Sequence, residues 1–277
     1  MKAKRPVAPL VSEIMEQSFG NATENLGIAL QVWRDEPGAK SLHQVRVELR
    51  RFRVLLRIFA DKLEACEHDE LVGLLRESGD RLGALRDFDV MLALCRGCDD
   101  PVRDKVIAMM EVERKKQVRK VRAWMSRSEL ERTARDFTAR LTAYAGDPGK
   151  DESSQVFYRR KLRRQTRRIL QSTALSKSKD SDKLHAFRKK LRRLRYLGEA
   201  MAANGDSCYN EVVASVHACE QRLGKLHDLD MILIWVQQRF ETDKTSGLET
   251  DWMHKRQKRL KQFRRAWKAA RQELEAI

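Results

Sequence analysis

Apolar residues recur every three to four positions along most of the chain, and no stretch alternates strictly between apolar and polar positions as a half-buried strand would. Leu, Arg, Lys, Glu and Ala, which favour helices, are abundant, and only 13 glycines and 5 prolines interrupt the pattern. The sequence therefore predicts an all-α protein. The predicted helices are 10–34, 41–64, 68–96, 101–144 (which can restart at a capping box beginning at Ser128), 155–172, 182–203, 207–240 and 250–275.

Three local signals mark predicted helix ends. Ser41 with Gln44 is typical of a capping box, and Asp100 followed by a proline is typical of a helix start. Asn204 followed by a glycine predicts the end of a helix.

The chain repeats itself at an offset close to 142 residues. The segment SLHQVRVELRRFRVLLRIF (41–59) resembles KLHAFRKKLRRLRYLGEAM (183–201), and RLGALRDFDVMLAL (81–94) resembles RLGKLHDLDMILIW (222–235). A nearly constant offset over several segments indicates two similar units in tandem.

The unit boundaries are predicted from a short polar stretch at 145–155, which contains Pro, Gly and Asp and is typical of a linker. The first unit is then 1–149 and the second 150–277. About four amphipathic helices in each unit predict two tandem four-helix bundles.

Two stripes of different chemistry share the same helix in each repeat. Successive helical residues are rotated by 100°, so the apolar positions of 41–59 fall on one core-facing side and a row of cations falls beside it. The predicted core positions are Leu42, Val45, Leu49, Phe52, Leu56 and Phe59, with Leu184, Phe187, Leu191 and Leu194 in the second repeat. The basic stripes are His43, Arg46, Arg50, Arg53 and Arg57, and His185, Arg188, Arg192 and Arg195 with Lys189 close by.

The basic stripes predict a site for a phosphate-rich anion. Cations follow one another along most of each stripe, with Glu199 standing where the first stripe has Arg57, and stacked like charges repel unless a ligand neutralises them. An arginine fork binds two phosphoryl oxygens at once, and the two histidines lie in the first helical turn, where the helix dipole also favours an anion. A solvated basic helix face is the alternative reading.

The net charge of +17 also indicates a polyanionic partner. Residues 1–149 carry 27 Lys and Arg against 24 Asp and Glu, whereas residues 150–277 carry 30 against 16. The second half is therefore expected to hold the stronger anion site.

Asp89 and Asp230 lie in predicted core rows of their helices, where a carboxylate needs a cationic partner. We expect them to hold arginines of the basic stripes in place. The pairs Asp87/Asp89 and Asp228/Asp230 could also suggest a metal site, but residues two apart on a helix point about 200° apart, which disfavours chelation. We therefore predict no metal and no cofactor.

The remaining sequence features favour a cytoplasmic protein. The five cysteines (Cys66, Cys95, Cys98, Cys208 and Cys219) are an odd, scattered set, and the Cys95-x-x-Cys98 pair lacks a second pair or a nearby histidine for zinc. The N-terminus has no apolar signal core, and the apolar runs are too short to cross a bilayer. No membrane association is expected.

The motif H-x-x-R-x-x-x-R-R-x-R, present twice and followed each time by L-G-x-[LH]-x-D-[FL]-D, resembles the CHAD family (conserved histidine α-helical domain). The matching residues are His43, Arg46, Arg50, Arg51 and Arg53, and His185, Arg188, Arg192, Arg193 and Arg195. The resemblance implies two four-helix bundles related by a pseudo-twofold, a basic central groove that binds inorganic polyphosphate, and association with polyphosphate granules. No triphosphate-tunnel domain accompanies it here, so the resemblance implies binding and not catalysis.

The predicted polyphosphate site adds supporting cations to the two stripes. These are Arg81, Arg222, Lys115, Lys116, Lys258, Arg259, Arg122, Arg265, Arg160 and Arg164. Such a site would also accept sulfate or phosphate in crystals.

Two alternative functions stay open. One is a nucleic-acid-binding protein, although the stripes lack interleaved aromatic residues. The other is a polyphosphate-metabolising enzyme, although no nucleophile–base pair or P-loop is evident. Non-specific nucleic-acid binding is expected, and the oligomeric state is not predicted.

Overall fold

A computed structural model describes residues 9–63, 68–143 and 152–277, and all the regular secondary structure in these ranges is helical. The all-α prediction is confirmed. Apart from an isolated bridge between Leu10 and Ser153, the described residues form no strand pairing. The α-helices are α1 (Val11–Asp35), α2 (Ala39–Ile58), α3 (Asp69–Arg96), α4 (Arg103–Met125), α5 (Leu130–Ala143), α6 (Ser154–Leu170), α7 (Thr173–Lys177), α8 (Ser181–Ala203), α9 (Asn210–Gln237) and α10 (Thr242–Glu275).

The long helix predicted over 101–144 is two helices, α4 and α5. The break lies at the predicted restart, because Ser128 Oγ accepts a hydrogen bond from the Leu130 backbone N–H at 3.3 Å. A hydroxyl oxygen near a helix start can accept a hydrogen bond from one of the backbone N–H groups that the first turn leaves unpaired. The short helix α7 was not predicted.

One of the three predicted helix-end signals is confirmed, since Gly205 follows α8 with φ +83°, a conformation that favours glycine. The start predicted at Asp100 and the following proline is wrong, because α4 begins at Arg103; Asp100 Oδ1 accepts a hydrogen bond from Val102 N–H at 2.9 Å just before it. The capping box at Ser41 is wrong, since α2 begins two residues earlier at Ala39. Ser41 instead lies inside the first turn, where its Oγ accepts from Gly38 N–H at 3.0 Å.

Both predicted core stripes are buried. Leu42, Val45 and Phe52 are fully buried on α2, as are Phe187 and Leu191 on α8. A continuous apolar row on one helix side forces the neighbouring row to the edge of the core, which fixes where the basic side chains emerge.

The described structure divides into two compact units that interleave along the chain. Unit 1 comprises residues 1–79, 128–165 and 196–210, and unit 2 comprises 80–127, 166–195 and 211–277. Each unit therefore contains residues of both predicted repeats. The repeat boundaries at 1–149 and 150–277, the pseudo-twofold and the shared groove stay predictions, and most of the linker at 145–155 lies outside the described residues.

Unit 1 is centred on aromatic rings from four helices. Phe19 of α1 lies with its ring centroid 5.5 Å from Phe52 of α2 and 5.2 Å from Phe137 of α5. Phe59 stacks on Phe157 of α6 at 5.5 Å with an interplanar angle of 8°. These contacts hold the basic face of α2 at the edge of an aromatic core.

Unit 2 has a core to which α3, α4, α9 and α10 contribute. Phe88, Val106, Ile232 and Trp252 are among its buried members, one from each of these helices. The hairpin α3–α4 thus shares one apolar core with the corresponding hairpin α9–α10. Both helical hairpins carry cations of the predicted site.

The cysteine pair of the sequence belongs to this core. Cys95 and Cys98 are buried, and Trp252 Nε1 donates a hydrogen bond to Cys98 Sγ at 3.2 Å. Burial raises the pKa of Cys95 to about 12, which makes it a poor metal ligand and nucleophile. Among the described residues, which exclude Cys66, no group of three or more His, Cys, Asp or Glu is arranged to hold a metal ion.

None of the helices in the described ranges combines the length and the apolar character that a bilayer span requires.

Candidate functional site: an arginine cluster in unit 2

Three arginines of α8 gather around one buried carboxylate. Glu220 of α9 is 6% exposed and lies 2.8 Å from Nε of Arg192, 3.2 Å from Nε of Arg195 and 3.8 Å from Nε of Arg188. The three side chains are each 14–18% exposed. The stripe arginines of α8 therefore converge on one place, around Glu220.

Glu220 does not by itself balance the charge of the three guanidinium groups. Burial opposes ionisation of Glu220, but the charges of the arginines and a hydrogen bond from Arg192 outweigh it and hold the pKa of that carboxyl below its ordinary value. The carboxylate offsets one of the three positive charges. Each guanidinium carries five N–H donors, so a carboxylate shared among three of them does not exhaust their capacity to bind an anion.

A glycine gives Arg188 its position. Gly224 lies on α9 one turn after Glu220, and a Cβ added there would come within 2.9 Å of Arg188 Nη2. The guanidinium therefore lies almost directly against the α9 backbone, which a side chain at 224 would prevent. This contact gives a physical reason for the glycine in the second L-G-x-[LH]-x-D-[FL]-D segment.

Two imidazole rings lie next to the arginines. His185 of α8 and His227 of α9 have ring centroids 4.5 Å apart with an interplanar angle of 40°. Burial, joined by the charges of the other imidazole and of Lys189, Arg188 and Arg192, lowers the pKa of His185 to about 4. Burial and the same three cations lower the pKa of His227 to about 4. Both rings are therefore neutral at pH 7 in the free protein.

The core-row aspartates have cationic partners, but these partners are not stripe residues. Asp89 Oδ1 accepts a hydrogen bond from Arg114 Nε at 2.6 Å, and Asp230 pairs with Arg256 while also accepting from Ser181 Oγ at 2.7 Å. The expectation that they hold stripe arginines is thus corrected. Arg114 and Arg256 are themselves 142 positions apart, so the same pair recurs in both repeats.

Further cations of the predicted site line a cavity beside α10. Lys258 and Arg259 belong to the lining of a cavity of about 530 Å³, which Leu94 and Leu229 bound on the apolar side. The complete lining is Leu94, Lys225, Asp228, Leu229, Lys255, Lys258, Arg259 and Gln262. Four cations and one acid make this cavity, like the arginine cluster, suited to an anion.

The other predicted residues of unit 2 lie on helix surfaces. Arg81 is exposed and stacks over the Trp124 ring at 5.3 Å, a cation–π contact that orients its guanidinium. Arg222 is partly buried and donates through Nη1 to the Ala218 carbonyl at 2.9 Å. The remaining exposed members are Lys189, Lys115, Lys116, Arg122 and Arg265.

The first stripe lies in unit 1. His43 and Arg57 are exposed, whereas Arg46, Arg50 and Arg53 are partly buried on α2. The tip of Arg53 packs against another helical glycine, since a Cβ added at Gly79 would lie 2.7 Å from its Nη1.

Two supporting residues on α6 differ in their surroundings. Arg160 pairs with Glu152 at 2.6 Å and lies 3.7 Å from Asp61, so acids already offset its charge. Arg164 is exposed. Of the two, Arg164 is the better candidate for binding an outside anion.

Sequence reasoning missed Glu220 and the pairing of His227. Glu220 lies in the α9 row that includes Val216 and Leu223, and an acid in a core row indicates a cationic partner, as it did for Asp230. A search for acids within the stripe helix could not find it, because the acid comes from a different helix. His227 stands in the repeat where Arg86 stands in the first half.

These features define an all-helical protein with clustered cations on its helix faces. The model of the CHAD domain matches residues 22–237, which is most of the chain, and the chain belongs to the CHAD family. A crystal structure of the CHAD domain from the plant Ricinus communis is similar in fold, with a TM-score of 0.75 and 24% sequence identity over 100% of this chain and 96% of that chain. At that identity the likeness concerns the fold alone. No curated protein matches the chain.

Proposed function

We propose that this protein binds inorganic polyphosphate and does not catalyse its turnover. The observation that carries the proposal is the arginine cluster, in which Arg188, Arg192 and Arg195 share the single carboxylate of Glu220. Membership of the CHAD family, which is linked to polyphosphate binding in general, supports the same ligand.

The spacing of the cations suits a ligand with repeated charges. Arg188 and Arg192 are one turn apart, about 6 Å along the helix axis. His185 extends the row by a further turn at the N-terminal end of α8. A linear chain of phosphoryl groups offers one acceptor group after another to such a row, and the charge-assisted bonds add.

A nucleic acid is the nearest alternative ligand because it also presents phosphates. Non-specific nucleic acid binding needs charge, but tight single-strand binding also needs aromatic platforms for the bases. Trp124 lies under Arg81, and Trp252 is fully buried in the core, so neither indole is a free platform for a base. We therefore propose that nucleic acids bind only through their backbone and more weakly.

Competition distinguishes the two ligands. With labelled DNA bound at low salt, long-chain polyphosphate should displace it at a far lower phosphate concentration than DNA needs to displace polyphosphate. A reversed order of potency would favour the nucleic-acid alternative.

Incubation of polyphosphate chains of defined length with the protein and Mg²⁺ tests the enzyme alternative. The chain-length distribution should stay unchanged, and shortening would indicate a polyphosphatase.

The proposal extends to localisation. A fluorescent fusion should coincide with stained polyphosphate granules in the cytoplasm of cells that accumulate polyphosphate. In cells unable to make polyphosphate, the same fusion should be spread evenly, and unchanged foci there would contradict granule association.

Gly224→Ala is expected to weaken polyphosphate binding about tenfold, equivalent to one charge-assisted hydrogen bond of about 1.5 kcal/mol. The new methyl group displaces the Arg188 tip, because Nη2 lies only 2.9 Å from the position of the added Cβ. The free energy of unfolding should change by less than about 1 kcal/mol, because alanine is the better helix former and the displaced atoms end a flexible side chain.

The matched control is Gly73→Ala on α3, where an added Cβ has no atom within 4 Å. This variant should bind like the parent protein. Equal affinity of both variants in a calorimetric titration would contradict the role given to Arg188.

A further inference from the structure

The imidazole pair of unit 2 has chemistry that the arginine cluster does not supply. His185 and His227 come from different helices, and both rings are partly exposed, yet Nδ1 of each is buried and has no hydrogen-bond partner. A buried N–H without an acceptor is costly, so the neutral ring carries its proton on Nε2. Nε2–H is then the donor available to an outside acceptor.

The charged groups that act most strongly on the pair are cations. Arg188, Arg192 and Lys189 approach the rings from α8, and each ring faces the other imidazole. The carboxylate of Glu220 on α9 contacts the same Arg188 and Arg192. Burial and these cations keep both rings neutral in the free protein down to about pH 4, because each of the two pKa values is lowered to about 4.

We propose that His227 joins His185 as a phosphate-contacting residue, and that the pair takes up one proton from solvent when polyphosphate occupies the neighbouring arginine cluster. This inference rests on the proposed function. The anion offsets the charges that oppose an imidazolium ion, and its oxygens accept hydrogen bonds from the rings. One N–H bond forms: a proton from the buffer adds to Nδ1 of one neutral imidazole, and it is released when the anion leaves. The burial of Nδ1 without an acceptor opposes this step in the free protein, and the negative charge of the bound anion must outweigh that cost.

The uptake is limited to about one proton, because a second imidazolium with its centroid 4.5 Å from the first would be repelled by it. The sign follows from linkage. A group whose pKa is higher in the complex than in the free protein takes up a proton when the ligand binds. The affinity for polyphosphate therefore rises as pH falls through the pKa of the complex. It levels off near the pKa of the free protein, which is about 4.

The test is calorimetric titration of the whole chain with long-chain polyphosphate at pH 5 and pH 7, in two buffers of different ionisation enthalpy. Internal phosphoryl groups of a long chain keep their charge over this range, so the ligand contributes little. If the complex raises one imidazole pKa by about two units, the association constant increases about tenfold from pH 7 to pH 5 and the buffers report uptake of about one proton at pH 5.

The variant His185→Gln/His227→Gln should lose most of this pH dependence, whatever its absolute affinity. The matched control His254→Gln changes an exposed histidine of α10 and should retain the pH dependence of binding. NMR titration of the imidazole C–H signals of the unchanged protein provides a second readout that needs no variant: one of the two pKa values should rise when polyphosphate is added.

The outcomes separate the two claims. Polyphosphate binding without proton uptake, or with an equal pH dependence in the double variant, would contradict the inference and leave the proposed function standing. No binding at either pH would contradict the proposed function and the proton coupling with it.

Discussion

Replacing Arg188 and Arg192 together with glutamine is expected to weaken polyphosphate binding by at least about a hundredfold. Each charge-assisted hydrogen bond contributes about 1.5–3 kcal/mol, and every 1.4 kcal/mol is a factor of ten in affinity. Both side chains belong to the cluster of arginines around Glu220. Titration of each protein with the same long-chain polyphosphate measures the loss.

Glutamine is a better substitution than a charge reversal at these positions. Glu220 is buried, and two further carboxylates beside it would destabilise the fold by repulsion, which would obscure the effect on binding. Glutamine side chains can still donate hydrogen bonds to Glu220, and Arg195 keeps its charge 3.2 Å away. Circular dichroism and denaturant unfolding should therefore show a folded helical protein.

The matched control removes two arginines from another surface. Arg132 and Arg135 of α5 are 71% and 64% exposed and pair with acids of their own helix region, Glu129 and Glu131. Arg132→Gln/Arg135→Gln loses the same formal charge and should change the affinity less than about threefold, through long-range electrostatics alone. Equal losses in both double variants would mean that net charge, and not the cluster, determines binding.

Asp230→Ala is expected to lower the free energy of unfolding by about 3 kcal/mol. Its carboxylate is buried, pairs with Arg256 and accepts a hydrogen bond from Ser181 Oγ. Its removal takes the acceptor from Ser181 and the counter-charge from a partly buried guanidinium, which keeps its hydrogen bond to the Lys179 carbonyl. Removing one partner of a buried ion pair typically costs about 3–5 kcal/mol, and the 19% exposure of Arg256 places this site at the lower end. Denaturant unfolding followed by circular dichroism measures the change.

Asp251→Ala supplies the comparison on the neighbouring helix. Asp251 and Lys255 form an ion pair on α10 in which both side chains are about half exposed, so its loss should cost less than about 1 kcal/mol.

Asp89→Ala removes the equivalent acid of the first repeat, which pairs with Arg114, and should lower the free energy of unfolding by about as much as Asp230→Ala. A cost below 1 kcal/mol at both Asp89 and Asp230 would contradict the structural role given to these pairs.

Periodicity predicted the fold class and the core stripes because both depend on local geometry. Leu42, Val45 and Phe52 follow a helical period, and a buried helix side leaves little freedom in where the adjacent cations emerge. The end of α8 was predicted for the same reason, since Gly205 adopts a positive φ that few other residues tolerate. The start of α2 was missed because Ser41 can bond to backbone groups from inside the first turn as well as from a cap.

The partners of charged residues could not be predicted to the same degree, because they come from other helices. A core-row acid indicates that a cation is near, but the pattern along one helix does not say that Asp230 meets Arg256 or that Glu220 meets three arginines of α8. The repeat carried that information in part: Arg114 and Arg256 are 142 positions apart, within one residue of the 141 that separate the aspartates they bind. The imidazole pair needed the tertiary structure, since His185 and His227 are 42 positions apart on separate helices.

The central claim is that the clustered cations of this chain bind long-chain polyphosphate. A calorimetric titration of the purified protein with that polymer, at low and at high salt, tests it most directly. We expect saturable, tight binding whose logarithmic affinity falls linearly with the logarithm of salt concentration, with a slope set by the number of phosphates neutralised, by analogy with nucleic acids. Absence of binding at low salt, or an affinity that salt does not change, would contradict the claim.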